Sequence, residues 1–147
     1  MAVLNKSGLI PEDPWQVIED EQDVPNQNGI ISFDRWQRDN EQLVKQGVGV
    51  LISGGDDLAS LAGDLSSIPL IALEIPKFTD GRCFSYATLL RTRFGYQGEI
   101  RAVGQVLIDQ LFYMQKVGID SFALAEGQDS NTALEVLTSF SVSYQPA

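Results

Sequence analysis

Histidine is absent from the 147-residue chain, and cysteine occurs once, as Cys83. Without imidazole there is no Ser-His-Asp or Cys-His catalysis, no histidine-bound zinc and no histidine-ligated haem. A single thiol excludes an intramolecular disulfide, a CxxC pair and a four-cysteine iron–sulfur site. The chain's own side chains therefore supply no self-contained redox centre, and no resident metal or cofactor is expected. Cationic side chains are also scarce, 10 Lys and Arg against 20 Asp and Glu, for a net charge of −10. That balance argues against nucleic acid and against an anionic membrane surface. No apolar run approaches the roughly 20 residues of a membrane span, and Met1–Gly8 has no signal-peptide apolar core. With the lone cysteine, these features lead to an expected cytoplasmic location. Nucleotide signatures are missing as well. Gly47-Val48-Gly49 precedes a strand instead of following one, and Ser53-Gly54-Gly55 lacks the third glycine of a dinucleotide fingerprint.

What is present is the pattern of a globular α/β protein. Apolar residues make up 44% of the chain, and its length suits a single domain over 1–147. Residues 1–33 read as a small β-rich extension packed on that domain. Val3–Ile10 suggests a hairpin turning at Lys6-Ser7-Gly8, and Glu19–Asp23 suggests a solvated acidic loop. Ile30–Phe33 is β-like, and Asp34-x-x-Gln37 reads as a capping box for a helix ended by Gly47. Four strand–helix units follow. The strands are 49–53, 70–75, 99–103 and 121–125. The first helix carries Leu58, Leu61, Ala62, Leu65 and Ile68 and stops before Pro69. The next covers 83–94, the third 105–117 ending at Gly118, and the fourth is capped by Asp129 or Ser130. Phe140–Tyr144 alternates like one more strand. Strict alternation implies a parallel sheet with right-handed crossovers, either an open sheet or a half-barrel-like one. The third helix is apolar on nearly every side, which calls for cover by the N-terminal segment, by the tail or by a second copy in a homodimer.

In parallel α/β sheets ligands sit beyond the carboxyl ends of the strands. The most loaded loop there is Pro76–Arg82. Lys77, Arg82, Arg91, Arg93 and Arg101 are half of all the basic residues and stand against Asp80 and Glu99 alone. One reading is a solvated helix face, and the other is an anion or partner site. In the second, Lys77, Asp80, Gly81 and Arg82 form a rim, with Arg101 or Gln105 approaching from the next strand. Asp80 would cap the following helix, Gly81 would permit a backbone few residues accept, and Arg82 would offer charge-assisted hydrogen bonds. Cys83, in the same first turn, lacks a histidine or second cysteine to make it a catalytic thiol.

The run Lys77-Phe-Thr-Asp-Gly-Arg82, with Ser85, Leu90-Arg91, Gly95-Tyr96, Gly98-Glu99, Arg101-Ala-Val-Gly104, Asp109-Gln110, Met114 and Gly118-x-Asp120-x-Phe122, resembles a bacterial family of unknown function. Asp13-Pro14-Trp15 and Tyr144-Gln145 extend the likeness to nearly the whole chain. That family is commonly labelled an oxidoreductase involved in sulfite reduction, and its genes neighbour that of the sulfite reductase haemoprotein. The resemblance implies an accessory role in assimilatory sulfite reduction, with the haemoprotein as partner. Cys83 stands where the family usually has glycine, and Val117 where cysteine is frequent. Sulfite reduction runs through sirohaem and an iron–sulfur cluster, and this chain has ligands for neither. Two alternatives stand beside the accessory role. One is a small enzyme or sensor for an anionic sulfur metabolite at the Lys77–Arg82 loop. The other is an electron-transfer protein with a non-covalent flavin.

Overall fold

The computed structural model describes residues 2–5, 7–25, 27–43, 47–77 and 82–140. Its frame is the four-strand set read from the sequence: β5 (Gly49–Ile52), β6 (Leu70–Ile75), β7 (Glu99–Gly104) and β8 (Ser121–Ala123). All three pairings among them are parallel. The N-terminal strands bracket this set. β1 (Val3–Asn5) runs antiparallel to β8 and forms a hairpin with β2 (Gly8–Leu9), while β3 (Gln16–Val17) and β4 (Gly29–Ser32) extend the other side in parallel. The result is one open, curled eight-stranded sheet, a half-barrel in the order β2-β1-β8-β7-β6-β5-β4-β3. The tip of the first hairpin at Lys6, and the expected tail strand beyond Phe140, lie outside the described residues.

The two faces of the sheet are covered unequally. Alternate strand residues, among them Ile31, Val50, Ile52, Ile71, Leu73, Ile100, Ala102 and Phe122, join the large core cluster. The helices pack on that face: α1 (Phe33–Leu43), α2 (Arg82–Thr92), α3 (Leu111–Lys116) and α4 (Ser130–Phe140). The opposite parity makes a small cluster of Ile30, Leu70 and Ala72, covered by Trp15 with Leu51 and Val103. Helices therefore cover one face only. The second face is served by a single aromatic on the N-terminal segment.

Several local readings are corrected. Ser32, not Asp34, caps α1, because its hydroxyl oxygen accepts the Arg35 N–H at 3.1 Å. Gln37 instead donates to Ser60 Oγ. The expected helix over 58–68 is two short 3-10 turns, Leu58–Leu61 and Leu65–Ser67. Asp57 accepts the Ala59 N–H at the start of the first turn, and the intervening Gly63 and Asp64 favour a break over continuation. Their apolar residues still reach the core, with Leu58, Leu61, Leu65 and Ile68 all buried. The expected helix over 105–117 is a 3-10 turn, Ile108–Gln110, followed by the six-residue α3. Its apolar ring is covered largely by the chain itself. Val106, Leu111 and Met114 are buried, α3 packs on α4, and Tyr113 meets Phe84 edge-on at 5.1 Å. Leu107, Ile108, Phe112 and Val117 are partly buried, and Tyr113 is 52% exposed.

At the amino end of the sheet one side chain ties four segments together. Arg91 of α2 donates to the carbonyls of Tyr96, Gly98 and Gly118 at 2.8, 2.8 and 3.0 Å, and pairs with Asp120. Asp120 in turn accepts the Ile100 N–H of β7 at 3.0 Å. Gly118 has φ +107, and a Cβ there would sit 2.6 Å from Arg91 Cγ, so only glycine fits beside this arginine.

Tyr96 stacks against the same arginine and donates its hydroxyl to Ile68 O at 2.7 Å. Burial pushes its phenol well above the ordinary value of 10.0, with Arg91 opposing and Glu99 and Asp120 reinforcing the shift. The folded pKa lies above the unfolded one. The contribution is therefore complete below pH 10 and is lost as pH rises toward the folded value. Chemical denaturation across alkaline pH should show Tyr96→Phe losing stability less steeply than the parent, by up to about 1.4 kcal/mol per pH unit. Parallel alkaline limbs for the two proteins would contradict this.

Candidate functional site

The carboxyl ends of β5, β6 and β7 carry a shaped rim. After β5 the chain turns through Ser53-Gly54-Gly55-Asp56. Asp56 accepts the Ser53 N–H at 2.8 Å on its own carboxylate, which closes the turn locally. Tyr86, one turn into α2, holds it from outside: the Tyr86 hydroxyl accepts the Gly55 N–H at 3.1 Å and donates to Asp56 O at 2.9 Å. Ser53 Oγ donates to Glu74 Oε1 at 3.0 Å, linking the turn to β6. These contacts account for Ser53-Gly54-Gly55 as a braced turn, in place of a phosphate loop.

The next loop begins at Lys77, which is exposed and makes no ion pair among the described residues. Asp80 and Gly81 lie outside the described residues, so the expected cap and special backbone there are likewise outside them. Arg82 is the first residue of α2, and no acidic residue occupies that helix's first turn. Gln105 is exposed just past β7, and its N–H donates to Ile75 O at 3.0 Å. The register ends at Ile75–Gly104, so Pro76 and Gln105 are the first residues past the paired ends of β6 and β7. Gly104 makes this crossing possible. It has φ +89, and a Cβ would lie 2.7 Å from Ile75 O.

Arg101 is not part of this rim. It pairs with Ala72, five residues short of Lys77, which is about 16 Å along a strand. It is also consumed. Only 4% exposed, its guanidinium takes Asp13 in a two-bond fork at 2.7 and 3.0 Å. Its remaining contacts are Glu99 at 3.1 Å and Ser121 Oγ at 3.1 Å, and Ser121 donates to Glu99 at 2.6 Å. With Arg91 bound to carbonyls and Asp120, two of the five cations of the basic stretch are neutralised inside the fold. Reading the stretch as one anion-attracting patch overlooked a carboxylate 88 residues away and a set of backbone oxygens, neither visible in local spacing. In the sequence Asp13 stands out only through the Asp13-Pro14-Trp15 motif, and Tyr86 carries no signal of its own.

A polar pocket of about 260 Å³ opens at the opposite, amino end, lined by Asn5, Gln97, Gly98, Glu99, Asp120 and Ser121. Its two carboxylates are already bound to Arg101 and Arg91. Among the described residues no cluster of His, Cys, Asp and Glu is arranged to hold a metal ion. No helix there is long and apolar enough to cross a membrane.

A family model for a bacterial protein of unknown function, DUF934, matches residues 49–147. The chain belongs to this family. The match spans the four parallel strands, the Arg91 contacts and the rim, and leaves Asp13, Trp15 and β1 to β4 outside it. No curated protein matches the chain at a significant level.

Cys83 is buried behind the rim and donates its thiol to Glu74 O at 2.7 Å. A buried, hydrogen-bonded thiol is a poor nucleophile. Maleimide should therefore leave the native protein unmodified and label it stoichiometrically after unfolding. Rapid native labelling would show that the thiol is accessible and would return Cys83 to the site.

Proposed function

We propose that this protein is an accessory factor of assimilatory sulfite reduction that acts by binding, taking a small oxyanion or a carboxylate of the haemoprotein at the rim formed by Lys77, Arg82 and Gln105. The observation that supports this reading is the strand register. It ends at Ile75–Gly104, with Lys77 and Gln105 exposed just beyond it, which supports a rim shared with the start of α2 and the turn braced by Tyr86. A cation and an amide at the amino end of a helix form a suitable set of donors for an oxyanion. The sulfur chemistry comes from the resemblance, carried most densely by Lys77–Arg82 and Gly95–Gly104. With no histidine and one cysteine, the chain leaves electron transfer to its partner's own centres.

The test is growth. In a strain lacking the chromosomal copy, Lys77→Ala combined with Arg82→Ala should fold with an unchanged melting temperature, as expected of side chains that serve binding and not packing. It should fail to support growth on sulfate while growth on cysteine stays normal. Full growth of a folded double variant on sulfate would remove the rim from the function.

A further inference from the structure

Between Lys6 and Arg35 the chain carries seven carboxylates and no Lys or Arg. Asp13 is neutralised by Arg101, whereas the exposed carboxylates of Glu19, Asp20, Glu21 and Asp23 form no ion pair among the described residues; Arg35 reaches only the Glu19 carbonyl, at 3.0 Å, and Asp20 accepts the Ser32 hydroxyl at 2.8 Å. These four follow directly on β3, the outermost strand at one end of the sheet. The Gln16 N–H donates to Asn28 O and the Ile18 N–H to Ile30 O, so both face β4. In a strand, alternate residues present their N–H and C=O to opposite edges. The Val17 N–H and C=O therefore point away from the sheet, and neither meets a partner among the described residues. The Val17 side chain is 57% exposed. Beside it lies an open groove of about 380 Å³, in which Val17, Ile18, Val24 and Pro25 supply apolar wall and Asp23 supplies charge.

We propose that β3 is a strand-addition site for an extended segment of a partner protein that bears lysine or arginine. Such a segment would meet the unpaired Val17 N–H and C=O with its own backbone, lay apolar side chains into the groove, and set its cations against Glu19–Asp23. A second copy of this chain suits the edge poorly, because two molecules of net charge −10 repel. These observations are independent of those at the Lys77 rim, so either surface can fail without the other.

A synthetic peptide of alternating lysine and valine serves as the probe, titrated into the full-length protein by calorimetry. Fluorescence of Trp15, two residues from Val17 and partly buried, gives a second readout. Saturable binding is expected, and it should weaken as salt is raised. Val17→Pro removes only the outward N–H and keeps the Gln16 and Ile18 bonds to β4. It should weaken binding by about tenfold or more, the loss of one well-placed hydrogen bond, with little change in melting temperature. The same peptide with N-methylated amides should bind the unaltered protein as weakly, a comparison that stands even if Val17→Pro disturbs the fold. Binding undiminished by Val17→Pro and undiminished by methylation of the peptide would reduce the interaction to charge attraction and overturn the proposal. So would the absence of saturable binding, or a self-association that Val17→Pro abolishes.

Discussion

Arg91 is the constraint on which the rest of the sheet depends. Three carbonyls, from Tyr96, Gly98 and Gly118, converge on one guanidinium that also holds Asp120. These residues enter β7 and β8 and close the turn after α3, so their relative placement sets how those strands pair. A buried carbonyl left without its donor costs about 1–3 kcal/mol, so the arginine's value lies largely in what its removal would orphan. Tyr96 stacks on it, and Gly118 exists in the form its side chain allows. Much of the family-like run at Leu90-Arg91, Gly95-Tyr96, Gly98-Glu99 and Gly118-x-Asp120 is thus explained by one piece of backbone chemistry.

That division separates scaffold from rim. At the amino end, cations and carboxylates are spent on each other: Arg91 with Asp120, and Arg101 with Asp13 and Glu99. A buried pair such as Arg101–Asp13 contributes little net stability because both groups lose their hydration, yet removing one partner is costly. It fixes where the N-terminal segment crosses the face that the helices leave uncovered, and Trp15 packs there against Ile30, Leu70 and Ala72. At the carboxyl end the polar groups serve shape, with Tyr86 and Glu74 bracing the Ser53–Asp56 turn. Lys77 and Gln105 are left exposed. Surplus negative charge collects in Glu19–Asp23, the loop that follows the outer strand β3.

The strands were legible because each is a run of apolar residues between glycine, proline or charged punctuation: Gly49–Ile52, then Leu70–Ile75 after Pro69, then Glu99–Gly104 after Gly98. Their parallel order followed from the intervening helical spacing. Helix lengths were less legible. Leu58–Ile68 has the right apolar spacing, but local capping by Asp57 and the Gly63-Asp64 interruption give 3-10 turns that bury the same residues. Over 105–117 the apolar content was legible, whereas the cover that Phe84 and α4 supply was not, since both come from other elements. At the site, the positions of Lys77 and Gln105 just past β6 and β7 were readable from strand ends. The fate of Arg101 was not, because its counter-ion lies 88 residues away in a segment with almost no regular structure.

The central claim is that Arg91 organises β7 and β8 and that the rim is built on that frame. Amide hydrogen exchange on Arg91→Met tests it most directly. The Ile100 N–H donates to the Asp120 carboxylate and the Asp120 N–H to Ile100 O, so both report the junction that Arg91 secures. The account predicts that protection at these two amides falls about tenfold to a hundredfold, a loss of roughly 1.4–3 kcal/mol, with a smaller change in β4 and β5. Unchanged protection at Ile100 and Asp120 in a folded Arg91→Met protein would contradict it.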